Sequence, residues 1–306
     1  MKTNILILVN QEENGYFPTN ISYCDVVPLY SNNKFLNRVL RKIVLKYQLW
    51  QLEKIVFHSW ISIVIKVDIV VIFDTGNASY IAQMLKKHYP SKRIIIWYWN
   101  SVDGSIPFES FKTVKGLEFW SFDPADCHKY GFKYNTQFFI KENLENVKTT
   151  PSYGNYDVFY VGADKNRSKI LAELKEQFER YNIRYLFNLV RFHNSKNDFK
   201  LEYCDALTYS EVLSYVCTSK VVIDLVAEWQ TGLTLRPLEA LFCKKKLITN
   251  MKRIIDYDIY NPQNIFIIGI DDFDKLKEFV DSKFDEDYYE EFTRKYEFAS
   301  WISRFE

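Results

Sequence analysis

Glycine is scarce, with 9 in 306 residues, and that excludes long flexible glycine-rich linkers. Cysteine is neither abundant nor patterned. Cys24, Cys127, Cys204, Cys217 and Cys243 are odd in number, widely scattered and form no C-x-x-C pair; the expectation is reduced thiols in a cytoplasmic setting, not a disulfide framework. Four histidines (His58, His88, His128, His193) lie far apart and only His128 has a cysteine beside it, so no zinc-type ligand set is spelled out. No G-x-x-x-x-G-K-[ST] loop occurs, which argues against a P-loop ATPase. Net charge is nearly absent as well, +1 from 40 basic and 39 acidic residues, which gives no global attraction to nucleic acid. Any electrostatic function must be local.

Long apolar runs are few. The opening MKTNILILVNQEEN has a short apolar stretch, Ile5 to Val9, and no small-residue cleavage site, so a first β-strand is expected and not a leader. Residues 55–73, IVFHSWISIVIKVDIVVIF, approach the about 20 residues a membrane span needs. His58, Lys66 and Asp68 interrupt them, and a helix ending near Lys66 followed by the strand IVVIF divides the window better.

What the chain does have is bulk. Hydrophobic residues make up 47%, and 24 Phe, 22 Tyr and 7 Trp supply large side chains for packing. The length suits two domains. Apolar strand-like runs alternate with helical patterns through residues 1–150, then a polar stretch, KENLENVKTTPSYGNYD, with Pro151 and Gly154, marks a linker. The alternation resumes over 151–284 with DVFYVG, IRYLFNLV, VVIDLV, LITN and NIFIIGI, and a helix near LTYSEVLSYVCTSK takes Ser210 as its expected cap. A fold of two doubly wound α/β domains is predicted. In the tail, 285–306, Tyr288, Phe292, Tyr296, Ala299 and Ile302 share one helical face suited to packing on protein.

Residues 34–46, KFLNRVLRKIVLK, hold five basic residues and no acid, with Phe35, Val39, Ile43 and Tyr47 near helical spacing. This basic amphipathic helix is either an ordinary helix with a solvated charged face or a peripheral contact with an anionic membrane surface.

The stretch from Val221 to Asn250 reads as strand, loop, helix, strand. Ligands of open α/β sheets bind at the carboxyl ends of strands, and a helix N-terminus with an arginine beside it attracts anions, phosphate above all. Here the helix opens with Arg236, Pro237 and Glu239 after Thr234 as a candidate cap. Lys165 and Arg167 stand at the end of another strand and offer a second such place. Taken alone, Arg236 and Glu239 make an exposed i,i+3 surface pair worth a few tenths of a kcal/mol, roughly. The pairs Asp256/Asp258, Asp272/Asp274 and Asp285/Asp287 are spaced as D-x-D, but acids late in the chain at helix starts are expected to be solvated or to cap. Asp74, Glu13 and Asp103, in loops of the first domain, are candidate catalytic bases; Glu12 is another.

Two successive α/β domains, with V-G-x-D-K-x-R at Val161 to Arg167 and Q-x-G-L-T-x-R-x-x-E-A at Gln230 to Ala240, resemble the GT-B glycosyltransferases, and among them the bacterial lipopolysaccharide, O-antigen and capsule enzymes. The resemblance implies two Rossmann-like domains facing across a cleft, an N-terminal acceptor domain, and a C-terminal helix crossing back to it. It implies a nucleotide-sugar donor held by Gly162, Lys165, Arg167, Gln230, Gly232, Leu233, Thr234, Arg236 and Glu239, with Glu239 on the ribose hydroxyls and the basic residues on the diphosphate. It further implies a glycan or glycolipid acceptor and no metal or other cofactor; no nucleic acid is expected as partner. One departure is plain: many retaining relatives carry a glutamate eight residues before the ribose glutamate, where this chain has Thr231, with Glu228 and Gln230 nearby. Two other readings remain at this stage, a different nucleotide-dependent group transferase on the same scaffold and a non-catalytic binding partner of a true transferase.

Overall fold

The computed structural model describes residues 4–10, 13–18, 20–30, 35–47, 58–147, 156–192, 198–227, 230–287 and 289–306. The chain forms two compact units, Met1–Thr136 with Ser303–Glu306, and Gln137–Ile302. The stretch 148–155, which holds the expected linker's Pro151 and Gly154, lies outside the described residues.

In the first unit the order is β1 (Ile5–Val9), β2 (Asp25–Pro28), α1 (Phe35–Tyr47), α2 (His58–Val64), β3 (Ile69–Phe73), α3 (Ala78–His88), β4 (Arg93–Tyr98), β5 (Leu117–Ser121), α4 (Pro124–Tyr130) and β6 (Lys133–Tyr134). All strands pair in parallel, in the order β2-β1-β3-β4-β5-β6. Such sheets are covered on both faces, which is why ILILV and IVVIF are continuous β-branched and leucine runs without alternation. The apolar window at 55–73 divides into α2 and β3 as its charges require, and no described helix is long and apolar enough to cross a membrane. Helix α4 shows local sequence at work: Asp123 accepts the Ala125 amide at 2.9 Å, Pro124 takes the first turn, and Gly131 closes the helix at φ 71°.

The last four residues complete this unit. Arg93 pairs with Glu118 and donates to the Phe305 carbonyl. The Phe305 ring packs against Trp120 at 5.0 Å, and Arg304 donates to Asn135 and Thr136 at 2.7 and 2.6 Å.

The second unit runs β7 (Val158–Ala163), α5 (Ser168–Arg180), β8 (Tyr185–Val190), β9 (Tyr203–Cys204), α6 (Tyr209–Thr218), β10 (Val221–Asp224), α7 (Leu235–Phe242), β11 (Lys246–Thr249), β12 (Ile265–Ile267), α8 (Leu276–Asp281), α9 (Tyr289–Tyr296) and α10 (Phe298–Ser303). Its parallel order is β12-β11-β10-β7-β8-β9. Strand order therefore reverses between β7 and β10, the dinucleotide-fold arrangement whose switch point opens a crevice at the carboxyl ends of those two strands. The cap of α6 is Thr208 in a reciprocal capping box with Glu211, two residues ahead of the expected Ser210, whose own carbonyl accepts from Ser214.

The tail is divided between the two units, and the cysteines differ from the sequence expectation. Helix α9 packs within the second unit: Tyr289 donates to the Phe242 carbonyl at 3.2 Å, Lys244 pairs with Glu286 at 2.6 Å, and Phe139 exchanges backbone hydrogen bonds with Tyr296 and Phe298. Only Ser303–Glu306 join the first unit. Cys217 and Cys243, expected as reduced thiols, form a disulfide with Cα atoms 5.3 Å apart, because packing of α6 on α7 brings the last turn of one to the end of the other. Cys24, Cys127 and Cys204 are in no disulfide.

Candidate active site at the switch point of the second sheet

Strand β7 ends in Gly162 and Ala163. Gly162 has an ordinary negative-φ backbone, so it is not there for a turn; the left-handed residue is Asn166, at φ 63°. A Cβ at Gly162 would lie 2.7 Å from the Tyr160 hydroxyl and 3.0 Å from Nη1 of Arg167. The glycine keeps the strand end open for these two polar groups. Asp164, fully buried, accepts the amides of Arg167 and Ser168, each at 3.2 Å, and the Tyr203 hydroxyl at 2.8 Å. It thereby occupies the α5 amides that the sequence offered to phosphate. The Arg167 guanidinium turns back over the strand, donating to the Ala163 carbonyl at 3.3 Å. Lys165 is exposed, its Nζ 5.4 Å from the centre of the Phe192 ring.

Strand β10 ends in Asp224, and the loop after it returns to α7. Asn250, at the end of β11, clasps this loop by giving and taking hydrogen bonds with the Val226 backbone at 3.0 and 2.8 Å. Tyr257 donates to the Thr231 carbonyl at 2.8 Å, and Gln230 Nε2 to the Gly232 carbonyl at 3.3 Å. Leu233 is buried in the hydrophobic core, so its part is to anchor the loop. Thr234 occupies the N-cap position of α7, yet its side chain does not cap; the hydroxyl donates to Asp224 Oδ2 at 2.8 Å. The first amides of α7 are thus left without a side-chain acceptor from the cap residue, as an anion requires.

Arg236 and Glu239 follow on α7 and form an ion pair, with side chains 17% and 2% exposed. This corrects the expectation of an exposed surface pair: the first turn of α7 is sunk against the sheet. Burial raises the Glu239 carboxyl above its ordinary pKa, against the pull of the Arg236 charge and of the Tyr209 hydroxyl. Burial likewise raises Asp224, opposed by the Thr234 hydrogen bond and by the charges of Arg236 and Arg167. Two arginines and two buried carboxylates therefore converge where β7 and β10 part. Such a cluster can bind an anion through the guanidinium groups and hydroxyls through Glu239. Of the predicted donor residues, Gly162, Arg167, Thr234, Arg236 and Glu239 belong to it; Gln230, Gly232 and Leu233 shape the loop. Asp224, Tyr160 and Tyr209 escaped the sequence reading, because each sits in an apolar strand or helix pattern that looks like core.

The candidate bases lie in the first unit. Asp74 follows β3, is nearly buried, and accepts from the Trp99 and Asn100 amides at 3.0 and 3.1 Å, the Asn100 side chain at 3.3 Å, and the Ser105 hydroxyl. Its carboxyl is pushed up to about 6 because desolvation outweighs those four hydrogen bonds. In this state it fastens the loop after β4, and a base role requires that a donor be displaced. Asp103 is exposed and pairs with Lys129 at 3.6 Å. Glu13 begins a short 3-10 helix, Glu13–Tyr16; Glu12 and Glu228 lie outside the described residues. Four of the six D-x-D acids are engaged locally: Asp258 by Lys295 and Tyr296, Asp272 by the Asp274 amide, Asp274 by Tyr181, and Asp285 by Asn261 and the Asp287 amide.

No family model matches the chain, and no curated protein sequence is detectably similar to it. Solved structures are. A lipopolysaccharide outer core galactosyltransferase in its apo form aligns over 100% of this chain and 98% of its own, at 14% identity and a TM-score of 0.50. An alpha-glucosyltransferase in complex with UDP and a 13-mer DNA aligns over 98% and 97%, at 11% identity and 0.56. A putative UDP-N-acetylglucosamine 2-epimerase from Listeria monocytogenes aligns over 100% and 95%, at 11% identity and 0.53. With two parallel six-stranded α/β sheets and alignments that run the length of both chains, the protein has the GT-B fold of the glycosyltransferases.

Proposed function

We propose that the protein is a glycosyltransferase that moves a sugar from a nucleotide-diphosphate-sugar to a lipid-linked or surface-glycan acceptor in bacterial polysaccharide or lipopolysaccharide biosynthesis. One observation carries the reading: Arg236, Arg167 and the uncapped start of α7 meet the buried carboxylate of Glu239 at the sheet's switch point. Glycosyl transfer develops negative charge on the departing diphosphate, and fixed guanidinium groups and helix amides in a site with little water stabilise that charge. In this reading Glu239 accepts ribose hydroxyls and so holds the nucleoside against the end of β10. We propose that Lys165, on the exposed rim, assists the diphosphate, and that no metal is needed. The likeness to the lipopolysaccharide galactosyltransferase supports this choice of acceptor class.

The epimerase neighbour motivates a second reading, chemistry on a nucleotide sugar without an acceptor. One experiment separates the two. The protein is incubated with a panel of nucleotide sugars in excess EDTA, with and without glycan or glycolipid acceptors, and free nucleotide and sugar configuration are measured. Nucleotide release that persists under chelation, rises with an acceptor and drops at least about tenfold in Arg236→Ala supports metal-independent transfer. Inversion of the sugar with no nucleotide released favours an epimerase-type reaction, activity restored only by Mg²⁺ or Mn²⁺ overturns metal independence, and binding without turnover points to a non-catalytic partner.

A further inference from the structure

Among the buried aspartates of the described residues Asp224 is sparsely held, as is Asp126, which accepts only the Val102 amide at 2.8 Å and faces Asp123, Asp103 and Lys129, whereas Asp224 faces two arginines. Asp74 accepts four hydrogen bonds, Asp164 three, and Asp157 takes Arg184 twice together with Lys220. Asp224 is 7% exposed and, among the described residues, accepts one hydrogen bond, from Thr234, with no ion pair within 4 Å. A buried carboxylate so sparsely held is costly to keep ionised.

The groups that face it come from every neighbouring element. Strand β7 contributes the Tyr160 hydroxyl, which is buried beside the Arg167 guanidinium. The turn before α5 contributes Arg167, and α7 contributes Arg236 and Glu239. Helix α6 contributes Tyr209 through Glu239, and β11 places the uncharged Thr249 in register beside it. Two guanidinium charges thus stand against two carboxylates, and the cluster is close to neutral before any ligand arrives. A diphosphate adds two negative charges to it, and the arginines that now offset Asp224 and Glu239 turn to the phosphates.

We propose that Asp224 is the proton acceptor of the donor site: when the diphosphate of a nucleotide sugar takes Arg236 and Arg167, Asp224 binds a proton from solvent, and the Asp224–Thr234 contact persists. The proton goes to a carboxylate oxygen of Asp224, and no other bond forms or breaks. Asp224 is a positioning residue here, acting through the arginines and Thr234. The inference rests on the donor-site reading above.

The probes are UDP-glucose and GDP-mannose, whose phosphates keep a fixed charge between pH 6 and 8, titrated into the full chain by calorimetry in buffers of different ionisation enthalpy. The wild-type protein is expected to take up about one proton per nucleotide sugar bound, with affinity tightening by up to about tenfold per pH unit as pH falls. Asp224→Asn keeps the volume and an acceptor for Thr234; it should abolish the uptake and flatten the pH dependence. Equal binding enthalpies in all buffers for the wild type overturn the proposal whether or not the variant folds. So does uptake that survives in Asp224→Asn and disappears in Glu239→Gln, which assigns the proton to Glu239. If the folded wild-type protein binds neither probe nor any other nucleotide sugar of the panel, the donor-site reading itself falls, and the proposal with it.

Discussion

Removing the Glu239 carboxylate leaves the Arg236 guanidinium in a place only 17% open to solvent. Breaking a buried pair in this way costs about 3–5 kcal/mol, because the surviving charge has lost its partner. Glu239→Ala is therefore expected to lower the melting temperature of the ligand-free protein and to weaken nucleotide-sugar binding at least about tenfold, since a hydrogen bond to a charged group contributes about 1.5–3 kcal/mol. Glu239→Gln separates the effects by keeping the volume and one acceptor oxygen. Calorimetric affinities and melting curves for both variants decide the matter; unaltered affinity together with a large drop in melting temperature makes Glu239 a structural partner of Arg236 alone. At this scale the sequence is legible where a residue is chemically conspicuous beside its neighbours, as Arg236 and Glu239 are next to Pro237 in an otherwise apolar helix. It is illegible at Asp224, which reads as the end of an apolar strand and whose hydrogen bond from Thr234 and nearby Arg167 and Arg236 only the folded chain brings to it. Gly162 shows a third case, visible as a glycine but for a reason, contact with Tyr160 and Arg167, that only the folded strand reveals.

Elements built on continuous apolar runs were foreseeable, because a parallel strand covered on both faces admits little else. Helical faces were harder. In α1 the four-residue repeat of Phe35, Val39, Ile43 and Tyr47 suggests the packed face, yet Leu40 and Val44 pack on the core while Val39, Ile43 and Tyr47 are 43%, 40% and 61% exposed. Two adjacent stripes of apolar residues compete, and the sheet selects one. The other stripe lies beside exposed Lys42 and Lys46, the composition of a helix that rests on an anionic bilayer. Each basic residue near such a surface is worth about 1 kcal/mol, so cosedimentation with vesicles containing phosphatidylglycerol is expected to be strong at low salt and weak at high salt. Ile43→Glu should abolish it; equal binding to neutral and anionic vesicles removes the membrane role. Helix pairing gives a second prediction at this scale. The Cys217–Cys243 disulfide, with a sequence separation of 26, ties α6 to α7, and closing a loop of that size stabilises by about 2–4 kcal/mol. Dithiothreitol should lower the melting temperature of the wild-type protein and leave a Cys217→Ser/Cys243→Ser variant unmoved. No spacing rule marks such a pair in advance, since only helix packing makes the two cysteines neighbours.

For the whole molecule, alternation of strands and helices indicated two α/β bodies, and the order of strands within each sheet required the structure. That order matters for function because it puts the reversal between β7 and β10, and with it the one place where Arg167 and Arg236 converge. The buried carboxylates also give the two units a shared response to pH. In the first unit Asp74 titrates near 6 in the folded state, raised by burial, while Glu118 is held down at about 2 by Arg93 and Lys133. A raised carboxyl binds its proton more tightly folded than unfolded, so its contribution is fully present below the ordinary value near 3.8 and is lost as pH rises through 6. A depressed one contributes above its ordinary value of 4.5 and loses that contribution as pH falls toward 2. Asp224 and Glu239 in the second unit act in the first sense, and Asp157, held down by Arg184 and Lys220, in the second. Acidification from pH 7 to 5 should therefore raise stability, by about 1 kcal/mol from Asp74 alone, and further acidification below about pH 4 should reverse the gain as Glu118 and Asp157 lose their ionic partners. Urea unfolding followed by tryptophan fluorescence at pH 7, 5 and 3 tests this, with Asp74→Asn expected to remove the rise in the first unit's midpoint between pH 7 and 5 and to leave the fall at pH 3. A midpoint that declines steadily from pH 7 downward in the wild-type protein means that Asp74 stays ionised in the folded state, held by its four donors in spite of burial.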